Sequence, residues 1–278
     1  MTRIYALVNQ KGGVGKTTTA INLAALFALN GQRVLVVDLD PQANATSCLG
    51  VDKRRVERGT YEVLIGQIPP AAAMLQNEKL KLTLLPSSPD LVGAEIELVS
   101  EIGRESRLKG ALAELAPSFD YVLIDSPPSL GLLTLNCLVA ASSGVIIPVQ
   151  CEYLALEGLS QLTDTIARVR SAYHPGLVVR GVVMTMFDGR ANLANQVVAE
   201  VRKHFPDRVF ETIIPRSVRL AEAPSHGLPI SAYAPSSAGG VAYRWLAEEV
   251  LHGDGLPVPA AMVEASSAVA ERREDHAV

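Results

Sequence analysis

The chain has few of the residues that indicate a disulfide-stabilised, metal-binding or disordered protein. Its 278 residues include three cysteines and five histidines, and 5% are aromatic. Cys48, Cys137 and Cys151 form no CxxC pair and are odd in number, which argues against a disulfide framework or a structural zinc site and favours a reducing compartment. Charged residues make up 19% of the chain and hydrophobic residues 48%. This composition is typical of a folded globular protein.

No uninterrupted apolar run is long enough to cross a membrane. The longest uncharged segment, residues 126–151, has sufficient length but contains prolines and a Ser-Ser-Gly break. These divide it into a turn, a helix and a strand. The apolar stretch before Lys11 is too short for a signal peptide. We therefore expect a cytoplasmic protein.

Short apolar strands alternate with helical patterns along the chain. Strands are predicted at residues 3–9, 34–37, 82–85, 121–124, 145–149, 177–186 and 213–214, and helices at 17–30, 90–102, 105–116, 156–172, 193–204 and 236–251. The alternation predicts an α/β fold with one doubly wound, mostly parallel sheet flanked by helices. The high mean hydropathy of +0.22 agrees with this fold, because helices cover both faces of such a sheet and its strands are therefore apolar. We expect one domain over residues 1–252 and a flexible tail over 253–278.

A glycine-rich loop between the first strand and the first helix is the strongest functional signal. Residues 10–17 read Gln-Lys-Gly-Gly-Val-Gly-Lys-Thr. Glycines let backbone N–H groups turn inward towards phosphate oxygens, and the helix N-terminus adds its positive end. Lys16 is expected to reach the terminal phosphates and Thr17 to suit Mg²⁺. Gln10 stands where the usual phosphate loop has glycine, a second lysine follows as Lys11, and no GxGxxG dinucleotide fingerprint is present.

Three aspartates follow predicted strands. Asp38 and Asp40 come after the strand at residues 34–37, and Asp125 ends the strand at 121–124. The carboxyl ends of parallel strands share one edge of a sheet, so these carboxylates and the phosphate loop are expected to converge. A carboxylate there can hold Mg²⁺ through water. The pattern favours a nucleotide site over isolated helix caps.

The chain resembles the ParA/Soj type of chromosome-partitioning ATPase, in the deviant Walker A class of P-loop NTPases that also includes MinD. The matching segments are KGGVGKTT (11–18), VVDLDPQ (36–42), VLIDSPPS (122–129), PVQCEYLALEG (148–158), TMFDGR (185–190) and IPRSVRLAEAPSHG (214–227). The first and third indicate the deviant Walker A class, and the last two indicate the chromosomal branch. Together they run across almost the whole chain up to about residue 253.

This resemblance implies a Mg²⁺-dependent ATPase whose two protomers close face to face around two ATP molecules. Lys11 would cross to the partner's phosphates, so that hydrolysis would depend on dimerisation. Lys16 and Asp40 would complete the catalytic set, with Asp40 positioning the attacking water. The implied metal site comprises Thr17, Asp38 and Asp125. The implied nucleotide-binding residues are Lys11, Gly12, Gly13, Val14, Gly15, Lys16, Thr17, Thr18, Met186, Pro215 and Arg216; Ser217 replaces the asparagine common in the family.

The resemblance also implies partners. The ATP-bound homodimer would bind double-stranded DNA without sequence specificity, through Arg190 and Arg219, and a ParB-type centromere-binding protein would stimulate hydrolysis. Residues 180–219 hold seven lysines and arginines against four acidic residues, a net charge of +3 within a chain of −4. Two-fold symmetry would double this local excess, which makes DNA binding physically reasonable. We expect a cytoplasmic, nucleoid-associated protein.

Two other functions stay open at this stage. A MinD-like membrane-cycling regulator needs a basic amphipathic C-terminal helix, but residues 260–278 are rich in Ala and Ser and carry more acidic than basic residues. No membrane binding is therefore expected. A reductase with an iron–sulfur cluster needs cysteines at the dimer face, whereas all three cysteines, Cys48, Cys137 and Cys151, are expected to be small buried residues.

Overall fold

The structure, a computed structural model, describes residues 1–153 and 155–257. Eight strands form one sheet in the order β3-β4-β2-β5-β1-β6-β7-β8. Their bounds are β1 Arg3–Leu7, β2 Val34–Asp38, β3 Leu75–Asn77, β4 Leu82–Leu85, β5 Tyr121–Asp125, β6 Gly144–Gln150, β7 Val179–Phe187 and β8 Val209–Pro215. Every pairing is parallel except that of β3 with β4. The predicted doubly wound, mostly parallel sheet is confirmed.

Helices cover both faces of this sheet. Their bounds are α1 Lys16–Leu29, α2 Asn44–Cys48, α3 Thr60–Leu64, α4 Leu91–Glu97, α5 Arg107–Leu115, α6 Leu132–Ala140, α7 Ala155–Ala172, α8 Asn192–His204, α9 Val218–Glu222, α10 Ile230–Tyr233 and α11 Ala238–Gly253. Successive side chains of a strand point to opposite faces. In β1, Ile4 and Ala6 enter one buried cluster, and Tyr5 and Leu7 enter the other. The sheet therefore separates two hydrophobic cores.

The order of the central strands brings the predicted site together at one sheet edge. β5 pairs with both β1 and β2, and in this register Asp125 is the partner of Leu7 on one side and of Asp38 on the other. The phosphate loop starts just beyond Leu7. The carboxyl ends of three neighbouring strands thus carry the loop and two of the aspartates.

The structure differs from the sequence prediction mainly in short elements. The helix predicted at residues 90–102 is α4 followed by a 3-10 turn, and the strand predicted at 213–214 is the seven-residue β8. The short helices α2, α3, α9 and α10 and the antiparallel edge strand β3 were not predicted. Segments of three to five residues are too short to display a hydrophobic period, so tertiary packing decides their conformation.

The C-terminal helix has the cap that its sequence suggests, but it begins at residue 238 instead of 236 and extends beyond residue 252. The Ser237 hydroxyl accepts a hydrogen bond from the Gly240 N–H and caps α11. α11 extends to Gly253, and the Asp254 side chain is only 4% exposed. Most of the predicted tail, residues 258–278, and the expectation about its membrane affinity lie outside the described residues. Within the described part, no helix has both the length and the apolar character needed to span a bilayer.

Candidate nucleotide-binding site

The phosphate loop turns sharply between β1 and α1. Gly13 and Gly15 adopt φ values of +75° and +92°, in the left-handed region that favours glycine. Asn9 holds the start of the loop, because its side chain donates to the Pro148 carbonyl at 2.8 Å and accepts from the Lys11 N–H at 3.0 Å. The Thr185 hydroxyl donates to the Val14 carbonyl at 2.8 Å. The loop is therefore tied to β6 and β7 as well as to β1.

The two lysines of the loop lie in different environments. Lys16 is 6% exposed, and its Nζ donates to the Lys11 carbonyl at 3.3 Å. Burial lowers the pKa of Lys16, although the carboxylates of Asp125 and Asp40 act in the opposite direction. Lys11 lies nearer the surface, and its Nζ is 3.1 Å from Glu152 Oε2. One lysine thus points inward, and the other forms an ion pair at the mouth of the site.

Thr17 and Asp125 form a direct contact at the base of the loop. The Thr17 hydroxyl donates to Asp125 Oδ2 at 2.6 Å, whereas the buried Asp125 Oδ1 has no hydrogen-bond partner in the described part of the chain. Burial and the nearby Asp38 raise the pKa of Asp125 well above its usual range. A buried carboxylate oxygen without a partner is costly unless a ligand satisfies it.

Asp38 and Asp40 have separate roles in the neighbouring loop. The Asp38 carboxylate accepts hydrogen bonds from the Thr46 N–H and hydroxyl at 2.8 and 2.7 Å and from the Asp40 N–H at 3.2 Å. Burial raises the pKa of Asp38 to about 6. Asp40 Oδ1 accepts from the Gln42 N–H at 2.9 Å. These bonds make Asp38 an anchor of residues 40–46, and they do not favour the metal role expected of it.

The donor set fits a hydrated magnesium ion held with a phosphate. Within residues 1–153 and 155–257, no group of three or more His, Cys, Asp or Glu side chains could hold a metal ion by itself. Mg²⁺ usually keeps several waters and takes one or two protein oxygens together with substrate phosphates. The Thr17 hydroxyl and the unpartnered Asp125 oxygen are suited to that kind of coordination. The three cysteines are unpaired; Cys137 and Cys151 are buried as predicted, whereas Cys48 is only partly buried.

Two adjoining cavities surround the loop. One, of about 320 Å³, is lined by the loop glycines, Lys16, Thr17, Asp40 and Pro128. The second, of about 280 Å³, is more apolar, and its lining includes Thr18, Met186, Pro215, Arg216, Ser217 and Tyr243. Gly15, Thr18 and Met186 line both. The structure therefore places Met186, Pro215 and Arg216, three of the expected nucleotide-binding residues, beside the phosphate loop.

Some residues of the site were not identified from the sequence. Tyr243, from α11, lines the second cavity, and its hydroxyl is 3.1 Å from the Thr19 hydroxyl. Glu152 lies within the recognised PVQCEYLALEG segment, but the motif gives it no role. Its carboxylate contacts Lys11 and lies 4.0 Å from Arg216. Partners this distant in the chain leave no local sequence signal.

The two arginines predicted to bind DNA follow the carboxyl ends of two neighbouring strands of the sheet. Arg190 follows β7 and Arg219 lies on α9 after β8; their side chains are 90% and 59% exposed, and each pairs with a carboxylate, Asp188 and Glu222. Arg180 lies elsewhere, because it pairs with the buried Asp254 at the amino ends of the strands. The net positive segment found in the sequence is therefore not one continuous patch.

The comparisons with known proteins agree with this geometry. A family model described as an AAA domain matches residues 2–179. The sporulation initiation inhibitor protein Soj of Bacillus subtilis is 52% identical over 250 residues, covering 90% of this chain and 98% of that protein. The chromosome-partitioning ATPase Soj of Thermus thermophilus is 54% identical over 249 residues, covering 90% of this chain and 95% of that protein.

Solved structures share the same fold. A Mycobacterium smegmatis structure, described as cobyrinic acid a,c-diamide synthase with bound ADP and magnesium, has a TM-score of 0.81 at 40% identity and covers 93% of this chain and 100% of that one. MinD of Pyrococcus horikoshii, complexed with Mg-ADP, has a TM-score of 0.72 at 28% identity, with coverage of 93% and 100%. The identity over nearly the full length, together with the phosphate loop at the sheet edge, shows that the chain belongs to the Soj/ParA family of chromosome-partitioning ATPases.

Proposed function

We propose that the protein is a DNA-segregation ATPase in which ATP, bound with Mg²⁺, closes a homodimer that binds DNA, and in which hydrolysis releases it. The observation that carries the proposal is the contact of Thr17 with Asp125 beside the buried Lys16. This arrangement is what phosphoryl transfer requires, because that chemistry depends on positioning and charge neutralisation.

Each residue of the site has a physical role in this proposal. Lys16 and the backbone N–H groups of the loop bind the phosphates of their own protomer's ATP. Thr17 and Asp125 hold the magnesium ion, which neutralises phosphate charge when it is bound. Asp40 orients the attacking water at the cleft.

Lys11 is proposed to act across the dimer. Its ammonium reaches the partner's phosphates once it leaves Glu152, and it supplies positive charge in the manner of an arginine finger. The exposed ion pair with Glu152 costs little to break, because such pairs contribute about 0–1 kcal/mol. Hydrolysis therefore depends on assembly of the dimer.

Arg190 and Arg219 are proposed to contact phosphates of duplex DNA in the ATP-bound dimer. Their present partners, Asp188 and Glu222, form exposed pairs that exchange readily for DNA phosphate. A ParB-type protein would stimulate hydrolysis, and DNA binding would place the protein on the nucleoid.

The deciding experiment is binding to duplex DNA of random sequence with ATP, with ADP and without nucleotide, across a salt series. Wild type is compared with Arg219→Ala and with the matched control Arg168→Ala, an exposed arginine of α7. We expect wild type to bind DNA with ATP but neither with ADP nor without nucleotide, and the affinity for DNA to fall steeply as salt rises. The salt dependence should be shallower in Arg219→Ala and unchanged in Arg168→Ala. Absence of DNA binding in every nucleotide state would refute the proposal and direct attention to membranes and protein partners.

A further inference from the structure

Asp40, to which the proposed function assigns the attacking water, lies in a short loop between β2 and α2. We call residues 39–43 the Asp40 loop. The Ala43 N–H donates to the Asp40 carbonyl at 2.8 Å and closes its turn, and Ala43 has a φ of +50°. A left-handed conformation is uncommon for a residue with a side chain, and it persists only where surrounding contacts impose it. The contacts of this loop therefore decide where Asp40 points.

Buried hydrogen bonds hold the backbone of the Asp40 loop from the core side. The Ser87 hydroxyl, just after β4, donates to the Asp40 carbonyl at 2.9 Å, and the Ser87 N–H donates to the Thr46 hydroxyl at 2.9 Å. The Asp40 N–H donates to the Asp38 carboxylate at 3.2 Å. The Asp40 carboxylate is held differently, because its Oδ1 accepts from the Gln42 N–H at 2.9 Å. The direction of this carboxylate thus depends on Gln42.

Lys53 holds Gln42 from the solvent side. The Lys53 Nζ donates to the Gln42 carbonyl at 2.6 Å, across a separation of 11 residues. Lys53 begins the 3-10 turn Lys53–Arg55, and Asp52 caps this turn by accepting from the Arg54 N–H at 3.0 Å. The backbone of Lys53 is therefore ordered, and its side chain closes the intervening chain into a loop.

We propose that Lys53 is a positioning residue for the attacking water, acting through Gln42 and Asp40; this inference rests on the proposed function. The ammonium fixes the Gln42 carbonyl, and with it the direction in which the Gln42 N–H meets the Asp40 carboxylate. A carboxylate held in one orientation places a water in line with the phosphate, whereas a rotating carboxylate does so only part of the time. Asp40 and Gln42 line the cavity at the phosphate loop, and Lys53 is not among the described residues that do.

The charge of Lys53 supports the same arrangement. Burial raises the pKa of Asp40, whereas the Gln42 hydrogen bond and the charges of Lys16 and Lys53 act in the opposite direction. Arg54 lies on the same turn and is exposed, and it carries the same charge. Arg54 therefore serves to separate a general effect of positive charge from the specific contact of Lys53 with Gln42.

The test measures single-turnover ATP hydrolysis and ATP affinity of the full chain with Mg²⁺ for wild type, Lys53→Met, Lys53→Arg and Arg54→Met. Methionine keeps an apolar stem and removes the charge, and Arg54→Met is the matched control. Lys53→Arg retains a charged donor for the Gln42 carbonyl. Asp40→Ala and the double variant Asp40→Ala/Lys53→Met complete a cycle, because a residue that acts through Asp40 has no further effect once Asp40 is removed.

We expect Lys53→Met to hydrolyse ATP about tenfold more slowly than wild type, with ATP affinity changed by less than about twofold. Lys53→Arg should recover most of the rate, and Arg54→Met should match wild type. The rate of Asp40→Ala should be the same with and without Lys53→Met. The ATP-dependent dimer, measured by light scattering, should form in Lys53→Met as in wild type.

A normal rate in Lys53→Met, an equal loss in Arg54→Met or no recovery in Lys53→Arg overturns the proposal. ATP affinity that falls together with the rate, loss of the dimer, or a further loss of rate in the double variant also overturns it, since each assigns Lys53 a role other than positioning Asp40. Failure of the proposed function is a different result, namely wild type without ATP hydrolysis or Asp40→Ala with the normal rate.

Discussion

At the scale of single residues, the site is built from groups whose charges are unfavourable in the absence of a ligand. Asp38 and Asp125 are fully buried register neighbours; Asp38 accepts a hydrogen bond from the Asp40 N–H, and the charge of Asp40 acts on Asp125. Burial lowers the pKa of Lys16 and raises the pKa of each aspartate. Perturbed groups of this kind concentrate at functional sites.

The first prediction concerns Asp40. We expect Asp40→Ala to retain ATP binding and dimerisation and to lose hydrolysis by about a hundredfold or more, because the water would no longer be oriented. The result should be a long-lived DNA-bound dimer. Single-turnover hydrolysis and nucleotide binding are the measurements, with Lys16→Ala as the comparison that loses ATP affinity. Hydrolysis at the normal rate in Asp40→Ala would remove the role assigned to Asp40.

The second prediction concerns the pH dependence of stability in nucleotide-free protein with a chelator present. A carboxyl whose pKa is higher in the folded than in the unfolded state binds more protons when folded, so stability falls as pH rises. Asp38 lowers the stability as pH rises from its ordinary pKa of 3.8 to its raised pKa of about 6. Asp125 lowers the stability as pH rises from 3.8 to its own raised pKa. The free energy of unfolding changes by about 1.4 kcal/mol for a tenfold difference in proton affinity between the folded and unfolded states.

Urea unfolding at about pH 4.5 to 7.5 tests this prediction. We expect Asp125→Asn to show a smaller loss of stability with rising pH than wild type, because the amide cannot ionise and Asp38 loses a charged neighbour. The same variant should lose Mg²⁺-dependent hydrolysis. An unchanged pH slope in Asp125→Asn would show that the buried carboxylate does not oppose folding.

At the scale of elements, close approaches of the backbone place the helices that surround the nucleotide cavities. α11 begins against the segment that follows α10, and a Cβ on Gly240 would lie 2.6 Å from the carbonyl oxygens of Ala234 and Pro235. α11 also contributes Tyr243 to the second cavity. A glycine at this helical position is therefore required by packing and not by its φ angle.

The third prediction follows from this contact. Gly240→Ala should destabilise the fold by about 1–3 kcal/mol, since the obstacle is backbone that cannot rotate away. Gly110→Ala is the matched control, because Gly110 lies within α5 and a Cβ there meets nothing within 4 Å. That substitution should instead stabilise by about 0.5–1 kcal/mol. Thermal unfolding of both variants measures these changes in stability. A shift of the melting temperature in the same direction for both variants would contradict the prediction.

At the scale of the whole molecule, Asp254 joins the segment that follows α11 to the sheet. Its carboxylate accepts hydrogen bonds from the Tyr5 and Tyr121 hydroxyls at 2.7 and 2.8 Å and pairs with Arg3 and Arg180, each at 3.3 Å. These residues come from β1, β5 and β7 at their amino ends, opposite the phosphate loop. The cluster therefore serves folding and stands apart from the chemistry.

The fourth prediction uses this separation. Asp254→Ala should destabilise the protein by about 3 kcal/mol, because it leaves two phenols and two partly buried arginines without their shared acceptor. ATP affinity of the folded protein should stay unchanged. Asp120→Ala removes the exposed pair with Arg33 and should cost less than about 1 kcal/mol. Equal destabilisation by the two variants, measured by urea unfolding, would contradict the stabilising role assigned to the cluster around Asp254.

The sequence by itself determined the parts of this protein that depend on local patterns. Apolar runs predicted most of the long helices and the core strands, and the spacing of glycines and lysines predicted the phosphate loop. The alternation of strand and helix also implied that aspartates at strand ends would meet. These conclusions need only local backbone geometry and the common edge of a parallel sheet.

Only the tertiary structure decided which distant side chains meet. It joined Lys11 to Glu152, Asp38 to Thr46 and Arg180 to Asp254. The sequence showed Arg180 and Arg190 as parts of one basic segment, yet Arg180 lies at the amino end of β7 and Arg190 follows its carboxyl end, so the length of that strand separates them. The physical reason is that such contacts depend on strand order and helix packing, which join residues as far apart as Lys11 and Glu152 and leave no periodic trace in the chain.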